Sequence, residues 1–163
     1  MQIRKTKYED IEKLLEIFDY ARKFMAANNN PNQWTNGYPS ELDIKADIDK
    51  GHSYVCLDDD SNIICTFCFY IGIDNNYNEI YDGAWLNNDE YAVVHRIASL
   101  HGRKGAASFC MNYCFNIHNN IRIDTHKDNI PMQKFLEKEG FIKCGRIILH
   151  RNNEDRIAFQ KVK

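Results

Sequence analysis

Residues 97–141 decide the fold and run IASLHGRKGAASFCMNYCFNIHNNIRIDTHKDNIPMQKFLEKEGF. Their apolar pattern predicts a strand, a turn, a helix, a second strand that ends in Asp124-Thr125-His126, and a second helix that closes before Phe141. The turn, His101 to Ala107, holds two glycines and two fixed cations where the strand gives way to the helix. Unpaired backbone N–H groups and the positive end of the helix dipole favour an anion there. The stretch therefore predicts a site for a phosphorylated cofactor.

The turn alone is a weak signal, because glycines with neighbouring cations also occur in ordinary loops between a strand and a helix. It lacks the G-x-x-x-x-G-K-S/T pattern of a Walker phosphate loop and the G-x-G-x-x-G pattern of a dinucleotide site. Gly102 to Gly105 does fit the GxxG loop of nucleic-acid-binding KH modules. That loop joins two helices, whereas this segment follows a predicted strand from Tyr91 to Ser99, which argues against a KH module.

Taken whole, this stretch resembles the GNAT superfamily of acyl-CoA-dependent N-acyltransferases. In that family the central strand is followed by the motif Q/R-x-x-G-x-G/A, which surrounds the CoA pyrophosphate; Gly102 to Ala107 supplies G-x-x-G-x-A. The next family motif is a strand, an Asn and a helix that ends in Gly-Phe. Ile121 to Thr125, Asn129 and Gly140-Phe141 supply it at the expected spacing. With a weaker likeness at Ile3 to Thr6, the resemblance covers essentially the whole chain.

The resemblance implies that acetyl-CoA is the acetyl-donating cosubstrate. In the family, two central parallel strands separate and free backbone groups for the pantetheine arm. The residues that the resemblance assigns to the cofactor lie on the strand, in the turn and at the second helix: Ile97, Ala98, Ser99, Gly102, Arg103, Lys104, Gly105, Ala106, Ala107, Asn129, Met132 and Phe135.

Three departures from the family pattern affect the chemistry. Gly102 stands where the family has Gln or Arg, although Arg103 can supply the charge, and the loop before Gly102 is shorter than usual. Leu136 stands where many members have the Tyr that protonates the leaving thiolate of CoA. The usual general acid is therefore missing. Tyr113 or a solvent proton is the alternative donor, although core packing is the simpler role for Tyr113.

Transfer to an amine needs a proton acceptor, because a lysine-like amine has a pKa of about 10.4. Asp124 falls where some family members carry a catalytic Glu, and it is the first candidate base. His126 lies two residues on, so it forms an orienting pair with Asp124 if the strand continues that far. His95, on the preceding strand, is the alternative base. A structural role as a strand-end cap or a solvated side chain stays open for all three.

Three aromatic residues are candidates for the pocket of the acceptor amine. Trp34 and Tyr38 lie in the predicted loop between the first two helices, which commonly lines that pocket in the family. Trp85 lies in a loop before the central strand. The alternative is that these side chains simply cover the edge of the core, since large aromatics bury much area wherever they pack.

Composition favours a single cytoplasmic enzyme domain over residues 1–163. The chain is 44% hydrophobic and long enough for one domain with a full core, but too short to expect two. A net charge of -2 gives no general attraction to nucleic acid or to an anionic membrane. The N-terminus runs straight into charged residues, and no stretch reaches the roughly 20 apolar residues of a membrane span. Neither nucleic acid nor membrane is therefore expected as a partner.

The six cysteines predict neither a disulfide nor a metal site. Cys65 and Cys68 lie three apart on a predicted strand and so point to opposite faces. Cys110 and Cys114 lie four apart on a predicted helix, but no histidine pair completes a zinc set of usual spacing. Small buried thiols in a reducing compartment are the expected role.

Outside the deciding stretch, predicted helices and strands alternate along the chain. Thr6-Lys7-Tyr8-Glu9 has the form of a capping box ahead of a helix that ends near Pro31, and Ser40 begins a second helix that Gly51 stops. The order β-α-α-β-β-β-α-β-α-β-β predicts an α/β fold: a mixed sheet of six or seven strands with about four flanking helices, as the resemblance implies. The other predicted elements are Ile3 to Lys5, His52 to Leu57, Ile63 to Ile73, Tyr91 to Ser99, Ala106 to Ile117, Ile121 to Thr125, Ile130 to Lys138, Phe141 to Leu149 and Arg156 to Val162.

The predicted function is transfer of acetyl from acetyl-CoA to an amine of a small molecule or peptide within a ternary complex. The alternative, motivated by Leu136 and the irregular turn, is a catalytically inactive acyl-CoA-binding regulatory domain. The sequence does not identify the acceptor, because the residues expected to touch it lie in loops. It also leaves the oligomeric state open, a homodimer included.

Overall fold

The computed structural model describes residues 1–163 and contains seven strands, four α-helices and two short 3₁₀ helices. The predicted order is confirmed, and none of the helices combines the length and apolar character needed to cross a membrane. The strands are β1 (Gln2–Lys5), β2 (Ser53–Leu57), β3 (Ile63–Ile71), β4 (Ala92–Ser99), β5 (Asn120–Thr125), β6 (Ile142–Ile148) and β7 (Asp155–Val162). The helices are α1 (Ile11–Ala27), α2 (Glu41–Asp49), α3 (Ala106–Ile117) and α4 (Ile130–Lys138), with 3₁₀ helices at Tyr8–Asp10 and Asn75–Tyr77.

All seven strands form one mixed sheet in the order β1-β2-β3-β4-β5-β7-β6. β4 and β5 are parallel neighbours, and every other neighbouring pair is antiparallel. A parallel pair needs a crossover connection, which α3 supplies between β4 and β5. The predicted α/β class with a mixed sheet and four flanking helices is confirmed.

The sheet has apolar side chains on both faces, because successive residues of a strand point in opposite directions. In β2, Val55 and Leu57 belong to a core cluster with residues of α1 and α2. Tyr54 and Cys56, which alternate with them, belong to a larger cluster of 17 buried residues that includes α3 and α4. The helices therefore cover the two faces separately and leave the ends of the strands free for a site.

The start of α1 differs from the sequence expectation. The Asp10 carboxylate accepts the backbone N–H of Lys7 at 2.7 Å and forms an ion pair with Arg4 at 2.7 Å. Thr6 is buried, and its hydroxyl oxygen accepts a hydrogen bond from Ser53 at 2.7 Å. The predicted capping box at Thr6 is wrong because contact with β2 engages that hydroxyl instead.

β4 and β5 pair only near their starts, Ala92 with Ile121 and Val93 with Arg122. Beyond these pairs the strands separate. A little further along β4, between His95 and Ala98, a β-bulge interrupts its register with β3, and Arg96 within it has a φ of 51°. Because a bulge bends its strand and increases the local twist, β4 turns away from β5 and opens a gap between them.

Candidate active site

A cavity of about 660 Å³ occupies the gap between the separated ends of β4 and β5. Val94, His95 and Ile97 line it from β4, and Ile123 and Asp124 line it from β5. The loop between α1 and α2 and the turn between β6 and β7 contribute the outer wall. The cavity has the size of a small-molecule site and brings polar groups from several elements together.

His95 is held by Asp74, a residue that the sequence reasoning missed. Its Nε2 lies 2.7 Å from Asp74 Oδ2, and the same carboxylate accepts the backbone N–H of Asn76 at 2.9 Å. Burial by itself would raise the pKa of Asp74, but the hydrogen bonds from His95 and Asn76 outweigh burial and lower that pKa to about 2. Asp74 is therefore a carboxylate at neutral pH and accepts the Nε2–H of His95. In the neutral imidazole this arrangement leaves the lone pair on Nδ1.

Asp124 lies beside His95 on the neighbouring strand. Its Oδ2 is 3.8 Å from His95 Nδ1 and accepts the hydroxyl of Tyr77 at 2.6 Å. Burial, and after it the charge of Asp124, raises the pKa of Tyr77 well above its ordinary value, so the phenol stays protonated and donates. The structure thus brings two of the three predicted base candidates together.

His126, the third candidate, turns away from the cavity. β5 ends at Thr125, so the condition for an Asp124–His126 pair on one strand face is not met. The Nδ1 of His126 instead accepts the backbone N–H of Asp128 at 3.1 Å. Burial, and after it the charge of Arg156, lowers the pKa of His126, which makes the neutral ring its ordinary state at pH 7. His126 therefore has the geometry of a structural turn residue.

Asp74 and Tyr77 were missed because they lie in the connection between β3 and β4, far along the chain from their partners. Tyr77 is 47 residues from Asp124, and Asp74 is 21 residues from His95. One local signal was available: Asp74 caps the 3₁₀ helix Asn75–Tyr77 through its own carboxylate. That signal predicts a turn, but it does not predict the long-range contacts.

Of the three aromatic candidates, two line the cavity. Trp34 and Tyr38 do so from the loop between α1 and α2, and Trp34 also packs against the core cluster under α1. The Tyr38 hydroxyl accepts a hydrogen bond from Arg96 Nη1 at 2.8 Å. Trp85 lies outside the cavity lining and donates its Nε1–H to the backbone carbonyl of Tyr77 at 3.0 Å, so its role is to hold the segment that carries Tyr77.

The turn from His101 to Ala107 enters α3 through two glycines in the left-handed region. Gly102 has a φ of 74° and Gly105, which caps α3, has a φ of 82°. No other part of the chain lies within 4 Å of the place of a Cβ at either glycine, so the space beside the turn is open. The backbone N–H groups of Ala107 and Ser108 have no acceptor in the chain. This combination fits an anionic group such as the CoA pyrophosphate.

The two cations of the turn differ in their surroundings. Arg103 Nη1 lies 3.5 Å from Asp58, in the loop between β2 and β3. Lys104 is exposed and forms no ion pair within 4.0 Å. An anion beside the turn would therefore meet one free cation and compete with Asp58 for the other.

The remaining residues assigned to the cofactor divide between cavity and core. Ile97, Asn129 and Met132 line the cavity. Asn129 also caps α4, since its Oδ1 accepts the N–H of Met132 at 3.2 Å. Ala98 is buried in the cluster under α1, and Phe135 packs half-buried against the larger cluster. Side-chain contact with a ligand in the cavity is thus available to the first group, whereas Ala98 offers only its backbone.

The general acid that is missing from the sequence is missing from the cavity as well. Leu136 is fully buried in the larger core cluster. Tyr113 packs against Tyr54 and Phe67, with ring centroids 6.0 and 6.5 Å apart, and it does not line the cavity. Neither position places a proton donor where a leaving thiolate would emerge.

A mixed sheet that opens between two parallel strands, with a glycine turn before the next helix and polar side chains in the gap, is the architecture of acyl-CoA-dependent acyltransferases. Among solved structures, the chain is similar to an acetyltransferase of the GNAT family from Streptococcus agalactiae. The two are 30% identical over 99% of this chain and 95% of the other, with a TM-score of 0.88. The chain belongs to the GNAT family of acetyltransferases, as the sequence motifs implied.

More distant structures share the fold. A putative acetyltransferase from Staphylococcus aureus is 24% identical over the full length of both chains, with a TM-score of 0.72. The PaiA N-acetyltransferase from Thermoplasma acidophilum, solved in complex with coenzyme A, is 17% identical over 99% of this chain and 98% of that one, with a TM-score of 0.70. No sequence model of a protein family matches the chain, and no curated protein matches it. Family membership makes the chain an acyltransferase with acetyl-CoA as its cosubstrate.

Proposed function

We propose that the chain transfers acetyl from acetyl-CoA directly to an amine of a small molecule or peptide, in a ternary complex and within one domain that spans residues 1–163. The observation that carries this proposal is the His95 imidazole, which lies between two carboxylates on the wall of the cavity. Acetyl transfer to an amine needs a group that removes a proton from the ammonium form. An imidazole with an oriented lone pair meets that need at neutral pH.

In this reaction His95 acts as the general base and Asp74 as its positioning residue. Asp74 holds the Nε2–H, so Nδ1 is the nitrogen that takes the proton of the amine, directly or through one water. Asp124, 3.8 Å from Nδ1, attracts the incoming ammonium and stabilises the imidazolium that forms. The arrangement resembles the Asp–His pair of a catalytic triad, in which the carboxylate orients the imidazole ring.

The neutral amine then attacks the thioester carbon, so a C–N bond forms and the C–S bond breaks, and the nitrogen gives its second proton to solvent to leave a neutral amide. The carbonyl oxygen gains negative charge during the attack and needs a hydrogen-bond donor. A backbone N–H of β4 at Ile97, Ala98 or Ser99 is our candidate donor, because β4 has left the β5 ladder before this point. The pyrophosphate would lie at the turn before α3, where Gly102 and Gly105 leave open space.

Direct transfer is supported by the state of the one cysteine in the cavity lining. Burial raises the pKa of Cys68 to about 12, so its side chain stays a thiol at neutral pH. The thiolate, not the thiol, is the nucleophile in acyl-enzyme formation. All six cysteines are buried and unpaired, which suits the reducing cytoplasm as the place of action.

The leaving thiolate takes its proton from solvent in this proposal. A free thiol has a pKa of about 8.5, so the thiolate is a stable leaving group and protonation need not accompany C–S cleavage. Leu136 and Tyr113 both pack in the core, so no proton-donating side chain occupies the family's usual acid position.

The test is release of free thiol from acetyl-CoA with a panel of amines and amino-terminal peptides. We expect thiol release above background with at least one amine, and its loss in His95→Gln. His118→Gln is the matched control, because His118 is half-buried, lies outside the cavity, and its only side-chain hydrogen bond is with the backbone carbonyl of Glu90.

Binding of acetyl-CoA is measured separately by the melting temperature, which a ligand of the folded state must raise. Thermal stabilisation by acetyl-CoA without thiol release from any amine would contradict the proposal and favour a binding domain. Thiol release that is equal in the native protein and in His95→Gln would contradict the assignment of the base.

A further inference from the structure

We propose that the acceptor is an amino acid: an amine that carries a carboxylate, with Arg151 as the residue that binds the carboxylate. This inference rests on the proposed function and names the substrate class for the same site. The cavity wall carries two kinds of charge at different places. His95 and Asp124 lie at the separated strands, whereas Arg151 lies in the turn between β6 and β7.

Two of the arginines in the cavity lining are already paired. Arg96 donates to both carboxylate oxygens of Asp47, at 2.8 and 2.7 Å, and is therefore neutralised. Arg156 donates to Glu154 at 3.0 Å and to the backbone carbonyl of Gln33 at 3.1 Å. Both side chains serve the structure of the wall, because their donors are engaged by the chain itself.

Arg151 forms no ion pair and no hydrogen bond with the chain, yet its position is defined. Its guanidinium lies 3.8 Å from the ring centroid of Tyr38, within the range of a cation–π contact. Stacking leaves the edge of the guanidinium free to donate, and that edge matches the two oxygens of a carboxylate. An exposed arginine that is stacked and unpaired inside a cavity wall is suited to bind an anion.

Tyr38 is itself fixed from the other side. Its hydroxyl accepts from Arg96 at 2.8 Å, and Arg96 is held bidentately by Asp47 of α2. Arg96 has a φ of 51°, a backbone conformation that is unfavourable for a residue with a Cβ. A series of contacts therefore connects the β4 bulge to the outer wall and fixes the side chains beforehand. It runs from Asp47 through Arg96 and Tyr38 to Arg151. Side chains that are already fixed in this way lower the entropy cost of binding a small ligand.

The anion that Arg151 binds need not belong to the cofactor. The turn before α3 has its own open space, free N–H groups and cations, and none of its residues lines this cavity. Lys50 is the other unpaired cation of the wall, but it is exposed and has no stacking partner. Arg151 is therefore the better-defined anion site, and Lys50 provides the competing assignment for the test.

The experiment measures kcat/KM for thiol release with matched acceptors: free α- and ω-amino acids, and the same compounds as carboxamides. We expect the best free amino acid to exceed its carboxamide by roughly tenfold to a hundredfold. Removal of the nearby carboxylate lowers the amine pKa of the carboxamide, so chemistry alone favours the carboxamide at neutral pH. A preference for the free acid therefore reports on binding.

Arg151→Gln should remove this preference by lowering kcat/KM for the free acid, while the carboxamide is acetylated as before. Arg146→Gln is the matched control, since Arg146 lies on β6 over the Tyr81 ring but outside the cavity. The assignment of Arg151 as the carboxylate-binding residue would be overturned if Lys50→Gln lost the preference for free acids and Arg151→Gln kept it. It would also be overturned if Arg151→Gln changed only the KM of acetyl-CoA.

Two further outcomes separate this inference from the proposed function. Equal rates with free acids and carboxamides in the native protein would overturn the substrate class and leave the N-acetyltransferase function standing. If acetyl-CoA raises the melting temperature but no acceptor causes thiol release, both the proposed function and the proposed substrate class are contradicted.

Discussion

The two ends of the gap between β4 and β5 contrast in composition and in contacts. At the paired end Ala92, Val93 and Ile121 are fully buried and the strands share backbone hydrogen bonds. At the open end the same strands carry His95 and Asp124, whose side chains are 21% and 10% exposed. One pair of strands therefore contributes core packing at one end and ionisable groups to a cavity at the other.

The position of a residue relative to the point where β4 and β5 separate therefore decides whether its side chain packs in the core or lines the cavity. Apolar side chains require close packing, so the paired end tolerates little change in volume. The open end requires a defined orientation of polar groups, which Asp74 and Tyr77 supply from a different segment. Substitutions at the two ends should consequently fail in different ways.

The largest effect is expected at the open end, in His95→Gln. Removal of a general base costs about 10²- to 10⁴-fold in rate. We therefore expect kcat for thiol release to fall by that order, while the melting temperature falls only slightly because the Gln amide can still donate a hydrogen bond to Asp74. Steady-state kinetics and thermal unfolding on one preparation check both parts, and a variant that lost stability in proportion to activity would contradict the contrast.

The paired end should show the opposite pattern in Ile121→Ala. Truncation of a fully buried isoleucine leaves a cavity and costs about 2–5 kcal/mol of unfolding free energy. Chemical denaturation measures this loss. The folded fraction of Ile121→Ala should keep a kcat near the native value. A selective loss of kcat in a folded variant would show that the two ends are not independent.

A smaller effect is expected at the turn before α3. Gly105→Ala forces an alanine to a φ of 82°, which costs about 1–2 kcal/mol, and it adds a methyl group to the space assigned to the pyrophosphate. We expect a lower melting temperature together with weaker acetyl-CoA binding by calorimetry.

Gly51→Ala is the control for backbone strain at the turn. Gly51 has a φ of 71°, and a Cβ there meets only Lys5 Nζ, at 4.0 Å. Its substitution should lower stability and leave acetyl-CoA binding unchanged. Equal acetyl-CoA affinity in the two glycine variants would remove the turn from the cofactor site.

The smallest effect is a change in how stability depends on pH. The folded-state pKa of Asp74, about 2, lies below its ordinary value of 3.8, so the carboxylate stabilises the fold above about pH 4. That contribution is lost as the pH falls from about 4 toward 2. Asp74→Asn should therefore unfold more easily at neutral pH and lack this part of the acid-induced loss of stability. Parallel slopes of unfolding free energy against pH for both proteins would contradict the predicted pairing with His95.

Local patterns were enough to predict most of the fold. Helices α3 and α4 have the predicted bounds because apolar periodicity, a capping Asn129 and flanking glycines are all encoded within a few residues. The capping box at Thr6 failed because a contact with Ser53, on another strand, decided the role of its hydroxyl. Local chemistry alone could not anticipate that competition.

The candidate site was predicted in part. Its strands and turn follow from local motifs, whereas the pairing of His95 with Asp74 depends on how the connection after β3 folds back. For the same reason the predicted pairing of His126 with Asp124 depended on how far β5 extends, and β5 ends at Thr125. Local sequence patterns do not predict contacts between segments that lie far apart in the chain.

A crystal structure with CoA bound would locate the acetyl-transfer site directly. We predict that the pantetheine arm lies between the separated ends of β4 and β5, and that the sulfur reaches the cavity that contains His95 Nδ1. A pyrophosphate at the turn of Gly102 and Gly105 is expected in the same structure. CoA bound outside the gap, or a sulfur atom separated from His95 by the backbone of β4, would contradict the central claim that this gap is where acetyl transfer takes place.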